Sequence, residues 1–126
     1  MRKMGIDYGT KRVGVAFSDD MGLMAFPHDT FKNDGELFKK LVALIEEKRV
    51  GEIVIGLSLD REGKPNAVHS AVEELIGDLT LHVGVPIHLE PEHYSTQEAI
   101  RFQGKTEKTD AAAASIILNS FITRTK

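Results

Sequence analysis

This sequence predicts an α/β fold built on a mixed five-stranded sheet, three antiparallel strands followed by parallel ones, flanked by helices. Two patterns carry that expectation. Short apolar runs joined by tight turns crowd the first 26 residues, and from residue 33 onward apolar runs alternate with stretches in helical spacing.

Residues 4–7 and 13–17 read as strands joined by Gly9-Thr10-Lys11-Arg12, and the turn Asp19-Asp20-Met21-Gly22 leads to a third strand at 23–26. Asn33 and Glu36 stand at capping-box spacing. Leu37, Leu41, Leu44, Ile45 and Lys48 then recur as a helix does, so a first helix is expected to end near Val50-Gly51. Ile53-Val54-Ile55 before Gly56 is a continuous apolar run, the signature of a central strand covered on both faces. A polar loop over 58–66 precedes a second helix marked by Val68, Val72, Leu75, Ile76 and Leu79. Residues 85–89 form the fifth strand, with Pro86 tolerable at its start.

Ser95-Thr96-Gln97-Glu98 is another capping box, opening a short helix through Ala99, Ile100 and Phe102 that stops at Gly104. After a charged loop over 105–108, Thr109 is positioned to cap the last helix. Asp110 then falls in its first turn, with Ala113, Ala114, Ile117 and Phe121 on one face. Helical crossovers make the later strands parallel, and the whole order is the ribonuclease H-like arrangement.

Composition narrows the chemistry. The chain has 126 residues, 41% hydrophobic and 28% charged, so residues 1–126 are expected to fold as one globular domain. There is no cysteine, which excludes disulfides and thiolate metal sites and leaves hard cations held by oxygen or imidazole. No run approaches the roughly 20 apolar residues of a membrane span, and no signal-like stretch opens the chain, so a cytoplasmic protein is expected. The net charge of −3 at face value argues against nucleic acid. Bound divalent cations would offset it where a phosphate must approach.

Gly5-Ile6-Asp7-Tyr8-Gly9 places a carboxylate in a strand between glycines. Alternation puts Gly5 and Asp7 on one face and Met4, Ile6 and Tyr8 on the other. Small neighbours leave room for a phosphate or metal, although a strand-end aspartate in a turn fits the segment as well. Asp110 could serve only the helix dipole, and Glu92, after the last strand, could be a solvated loop acid. The C-terminal ends of parallel strands converge, however, which brings Glu92 toward Asp7. Several converging carboxylates are what two hard cations roughly 3.5–4 Å apart require.

Four stretches together resemble the YqgF-type family, described as pre-16S rRNA nucleases or Holliday junction resolvases. They are residues 5–19 (GIDYGTKRVGVAFSD), Ile53-Val54-Ile55-Gly56-Leu57, Glu92 with Ser95-Thr96-Gln97-Glu98-Ala99, and residues 108–118 (KTDAAAASIIL). The resemblance spans almost the whole chain and implies a ribonuclease H-like nuclease. Asp7, Glu92 and Asp110 would be its acidic triad, holding Mg²⁺ or Mn²⁺, two ions, for phosphodiester hydrolysis. This chain departs from the family pattern at Pro91-Glu92-His93, where Asp-Glu-Arg is usual, and at Ser58, where a proline usually follows Gly-Leu. Glu90, two residues before Glu92, is the competing middle acid.

Lys11, Arg12, Lys64, Lys105 and Lys108 are the candidate substrate contacts, positioning phosphates without reading bases. The expected partner is nucleic acid, precursor ribosomal RNA ahead of branched DNA. All the apolar stripes are needed to cover one small sheet, so a monomer or weak homodimer is expected. Two other readings compete. Asp7-Tyr8-Gly9-Thr10-Lys11 also resembles the first phosphate loop of sugar-kinase and chaperone ATPases, but the chain supplies only one of their two lobes. A non-catalytic nucleic-acid-binding module of the same fold is the other.

Overall fold

A computed structural model describes residues 1–9, 11–57, 69–91 and 107–124. Strands β1 (Arg2–Tyr8), β2 (Arg12–Ser18) and β3 (Ala25–Lys32) precede helix α1 (Leu37–Glu47). Strand β4 (Val50–Leu57), helix α2 (His69–Val83), strand β5 (Ile87–Pro91) and helix α3 (Glu107–Arg124) follow. The sheet runs β3-β2-β1-β4-β5, antiparallel across β3-β2-β1 and parallel across β1-β4-β5. The mixed five-stranded sheet expected from the sequence is therefore observed.

Strand alternation divides the core in two. Met4, Ile6, Val13, Val15, Ile53 and Ile55 face α1 and α2, joining Leu37, Leu41, Ile45, Val72, Leu75 and Leu79. Val54 faces the other way and packs with Ile117, Leu118, Phe121 and Ile122 of α3. The second layer is thin because it is built from small residues. A Cβ on Gly5 would lie 2.8 Å from the Ala114 carbonyl oxygen, and one on Gly14 only 2.0 Å from that of Asp110. The space beside Gly5, expected to admit a ligand, is thus filled by helix backbone.

Several boundaries differ from the sequence expectation: α1 ends at Glu47, so that Val50 and Gly51 open β4, and the fifth strand runs Ile87–Pro91 and not over 85–89. The third strand runs Ala25–Lys32 and not over 23–26. It is an exposed edge strand containing Pro27, with a register shift where Ala16 pairs Pro27 and Val15 pairs Asp29, so apolar alternation is missing. The expected capping box is not formed: Glu36 is the N-cap residue of α1, without a side-chain cap bond. Asp34 Oδ1 accepts from the Glu36 N–H instead (3.0 Å), and Asn33 turns its amide to the Gly9 carbonyl (2.8 Å). Finally, α3 begins at Glu107, so Thr109 lies inside the first turn and not at its cap. An acidic residue type opening a helix suits the dipole there. The helix expected around residues 95–102 lies outside the described residues.

Candidate active site

The level of Asp7 in the sheet is bordered by glycines. Asp7 pairs with Gly14 of β2 on one side and with Gly56 of β4 on the other, and Gly56 in turn pairs with Glu90 of β5. Residues paired across a sheet point the same way, so Asp7 and Glu90 share the α3 face, two strands or roughly 10 Å apart. In the sheet only Gly56 lies between them. The first turn of α3 lies directly on Gly14, which brings Asp110 beside the cross-strand neighbour of Asp7.

Asp110 is 8% exposed. Arg12, opening β2, places Nε 2.8 Å from Asp110 Oδ2. That oxygen is buried and makes no hydrogen bond among the described residues, because the guanidinium approaches closely without aligning an N–H on it. The pair is therefore Coulombic, with the oxygen's lone pairs unused. The turn that presents Arg12 is tied down: the Gly9 N–H donates to the Arg12 carbonyl (3.0 Å) and the Asn33 N–H to that of Lys11 (2.9 Å). Lys11 itself is exposed.

Glu90 presents the opposite case. It is 1% exposed, and both oxygens have partners: Ser120 Oγ donates to Oε1 (3.3 Å), and the Arg124 guanidinium pairs with Oε2. Further along the same face, Glu52 takes Lys3 Nζ on Oε1 (2.5 Å) and His88 Nε2 on Oε2 (2.7 Å). Burial raises the Glu52 carboxyl, but the hydrogen bonds and positive charge of Lys3 and His88 outweigh it and hold the group below its ordinary value.

Of the residues expected at the site, the structure brings Asp7, Arg12 and Asp110 to one mouth with Lys11 in the adjoining turn. Glu92, Lys64 and Lys105 lie outside the described residues, as does the side chain of Lys108 in the first turn of α3. Among the described residues no three acidic or imidazole groups gather closely enough to hold a metal ion. The donor chemistry nonetheless fits a hard cation, since Asp110 Oδ2 is a buried carboxylate oxygen without a hydrogen bond among the described residues, on a residue seated over Gly14, the sheet partner of Asp7. Sequence reasoning missed Gly14 and Asn33. A glycine inside an apolar strand was the available signal for Gly14, whereas Asn33 read as a helix cap.

The fold has solved counterparts. Thermus thermophilus RuvC, in a structure titled as a complex with a Holliday junction substrate, is similar over 99% of this chain and 96% of its own, with TM-score 0.65 and 14% identity. At that identity the likeness concerns the ribonuclease H-like fold. Sequence relatives go further. A protein of Maridesulfovibrio salexigens named "Putative pre-16S rRNA nuclease" is 36% identical over 98% of this chain and 99% of its own length. One of the same name from Chlorobium chlorochromatii is 35% identical over 99% and 96%. The family model RuvX: Holliday junction resolvase matches residues 1–124. This chain belongs to the RuvX family.

Proposed function

We propose that this protein is a divalent-metal-dependent nuclease, a cytoplasmic single-domain hydrolase that processes the precursor of 16S ribosomal RNA. Family membership and the names of its relatives support phosphodiester hydrolysis. The observation that carries the site is the seating of Asp110 on Gly14, the partner of Asp7, with one carboxylate oxygen left without a hydrogen bond.

In this reading Asp7, Glu92 and Asp110 hold Mg²⁺ or Mn²⁺, two ions. When bound, the cations would supply an activated water and stabilise the leaving oxygen. The chain's own residues bind and orient. Asp7 and Asp110 fix the mouth at the C-terminal end of β1, while Lys11, Arg12, Lys64, Lys105 and Lys108 position backbone phosphates. Of the two sheet neighbours of Asp7, Gly14 is covered by the first turn of α3, so a phosphodiester would approach from the side of Gly56, which carries no side chain.

The family model's description favours a second reading, cleavage of four-way DNA junctions. Junction resolution needs paired incisions, most simply from a stable two-fold dimer. A monomer or weak dimer fits RNA processing better. The experiment is cleavage of a precursor ribosomal RNA fragment and of a four-way DNA junction, each with Mg²⁺, with Mn²⁺ and with EDTA, alongside sedimentation. Metal-dependent RNA cleavage by a monomer is expected. A tight dimer that nicks junctions symmetrically and leaves the RNA intact would replace this substrate. Nucleic-acid binding without cleavage under any metal would leave only a binding module.

A further inference from the structure

The contact between Arg12 and Asp110 is unusual in what it omits. A guanidinium at 2.8 Å from a buried carboxylate ordinarily donates along the N–H, often in a two-pronged fork. Here the charge is neutralised while Oδ2 accepts no hydrogen bond from the described residues. Arg12 is 34% exposed at its side chain against 11% for Asp110, so the cation has a way out to solvent and the carboxylate does not. The backbone around Arg12 is fixed by the bond from Gly9 and the two from Asn33, so a change of its side-chain rotamer would not require the turn to move. Asp110 is pinned as well, its carbonyl resting on Gly14.

We propose that Arg12 is a placeholder cation. It neutralises Asp110 in the metal-free protein, gives up Oδ2 when a divalent cation binds, and then turns its guanidinium to the substrate phosphate. This deepens the nuclease reading and rests on it. Metal loading and substrate binding become ordered: a phosphate meets a guanidinium released from Asp110 only once Asp110 has another counter-charge. The arrangement also protects the apo protein, because two neighbouring carboxylates on one face would otherwise repel with a single mouth to share.

The prediction is a pair of opposite effects from one residue. In Arg12→Met the competitor is gone, so Mn²⁺ binds the nucleic-acid-free protein several-fold more tightly by calorimetry, about threefold to tenfold. The same variant loses substrate affinity, seen as a KM for the cleaved nucleic acid about tenfold higher. Arg12→Lys keeps a competing positive charge, so its Mn²⁺ affinity stays within about threefold of wild type. In the wild type the Arg12 Nε–H resonance moves when diamagnetic Mg²⁺ is added without nucleic acid; in Asp110→Asn it does not.

A residue that merely positioned Asp110 would weaken metal binding on removal, so unchanged or weaker Mn²⁺ binding in Arg12→Met overturns the proposal. So does an Nε–H resonance indifferent to Mg²⁺ in a wild type that binds it. Failure of the underlying site looks different: Mn²⁺ would bind wild type and Asp110→Asn alike, or neither.

Discussion

At its start, helix α3 offers Asp110 to Arg12 with one buried carboxylate oxygen making no hydrogen bond among the described residues; near its end, Ser120 and Arg124 of the same helix fill both oxygens of Glu90. Both carboxylates face the same side of the sheet, and both are nearly buried. What separates them is how their acceptors are used. A satisfied buried pair fixes one packing and binds nothing more, whereas a neutralised carboxylate with unused lone pairs can take a ligand. On the proposed reading the chemistry belongs to the Asp110 end and fixation to the Glu90 end, although Glu90 lies level with Asp7 and its sequence position alone makes it a rival to Glu92.

The largest expected effect comes from breaking the open end. Asp7→Asn and Asp110→Asn should each reduce metal-dependent cleavage by on the order of a hundredfold or more, because each removes a ligand charge. Their thermal stability without metal should stay within about 1 kcal/mol of wild type. Asp110→Asn loses the attraction of Arg12, so any gain from reduced repulsion belongs to Asp7→Asn. Gly14→Ala should be worse than either. Its Cβ would meet the Asp110 carbonyl at 2.0 Å with backbone on both sides, and shifting α3 away costs about 3 kcal/mol and the site with it. Full activity in Gly14→Ala would mean that Asp110 is not held where the comparison needs it.

Breaking the closed end should cost stability and spare chemistry. Arg124→Met strands a carboxylate that is 1% exposed, at about 3 kcal/mol in denaturant titrations. Glu90→Gln should cost less, about 1–2 kcal/mol, because Arg124 is 58% exposed at its side chain and can return to water. Cleavage by the folded fraction of both variants should persist. If Glu90→Gln instead abolished cleavage while Arg124→Met did not, Glu90 and not Glu92 would be the middle acid.

How far the sequence foretold this contrast depends on the reach of each interaction. Asp7 stood out as a charge between glycines in an apolar strand, although a strand-end aspartate in a turn fits that segment as well, and the buried faces of α1, α2 and α3 follow helical periodicity. The family resemblance supplied the grouping of Asp7, Glu92 and Asp110, which spacing alone leaves open. Other features were hidden for physical reasons. The Glu90 to Arg124 pair joins residues 34 apart, and no local pattern encodes a side-chain tie of that length. The edge strand β3 lacks alternation because consecutive residues from Phe26 to Asp29 are exposed and its register shifts beyond Pro27. Asn33 looked like a helix cap because its two uses, capping and bracing a distant turn, demand the same short amide.

The smallest effect tests another carboxylate on this face, Glu52, whose oxygens are both taken, by Lys3 and His88. Its folded-state pKa lies below the ordinary 4.5, so the unfolded chain binds the proton more readily. The group therefore contributes stability that is fully present above pH 4.5 and drains away as pH falls through the lower folded value. Asp19, held below its usual value by the backbone N–H groups of Leu23 and Met24, acts with the same sign from an exposed turn. Glu52→Gln should lower stability at pH 7 by less than about 1 kcal/mol, since surface screening limits such pairs. Below pH 4.5 the variant and the wild type should converge. Urea midpoints at neutral pH and at two acid values measure it. A loss that stays constant across those values would assign Glu52 a packing role, and the working contrast on this face would then be between one open carboxylate and Glu90 alone.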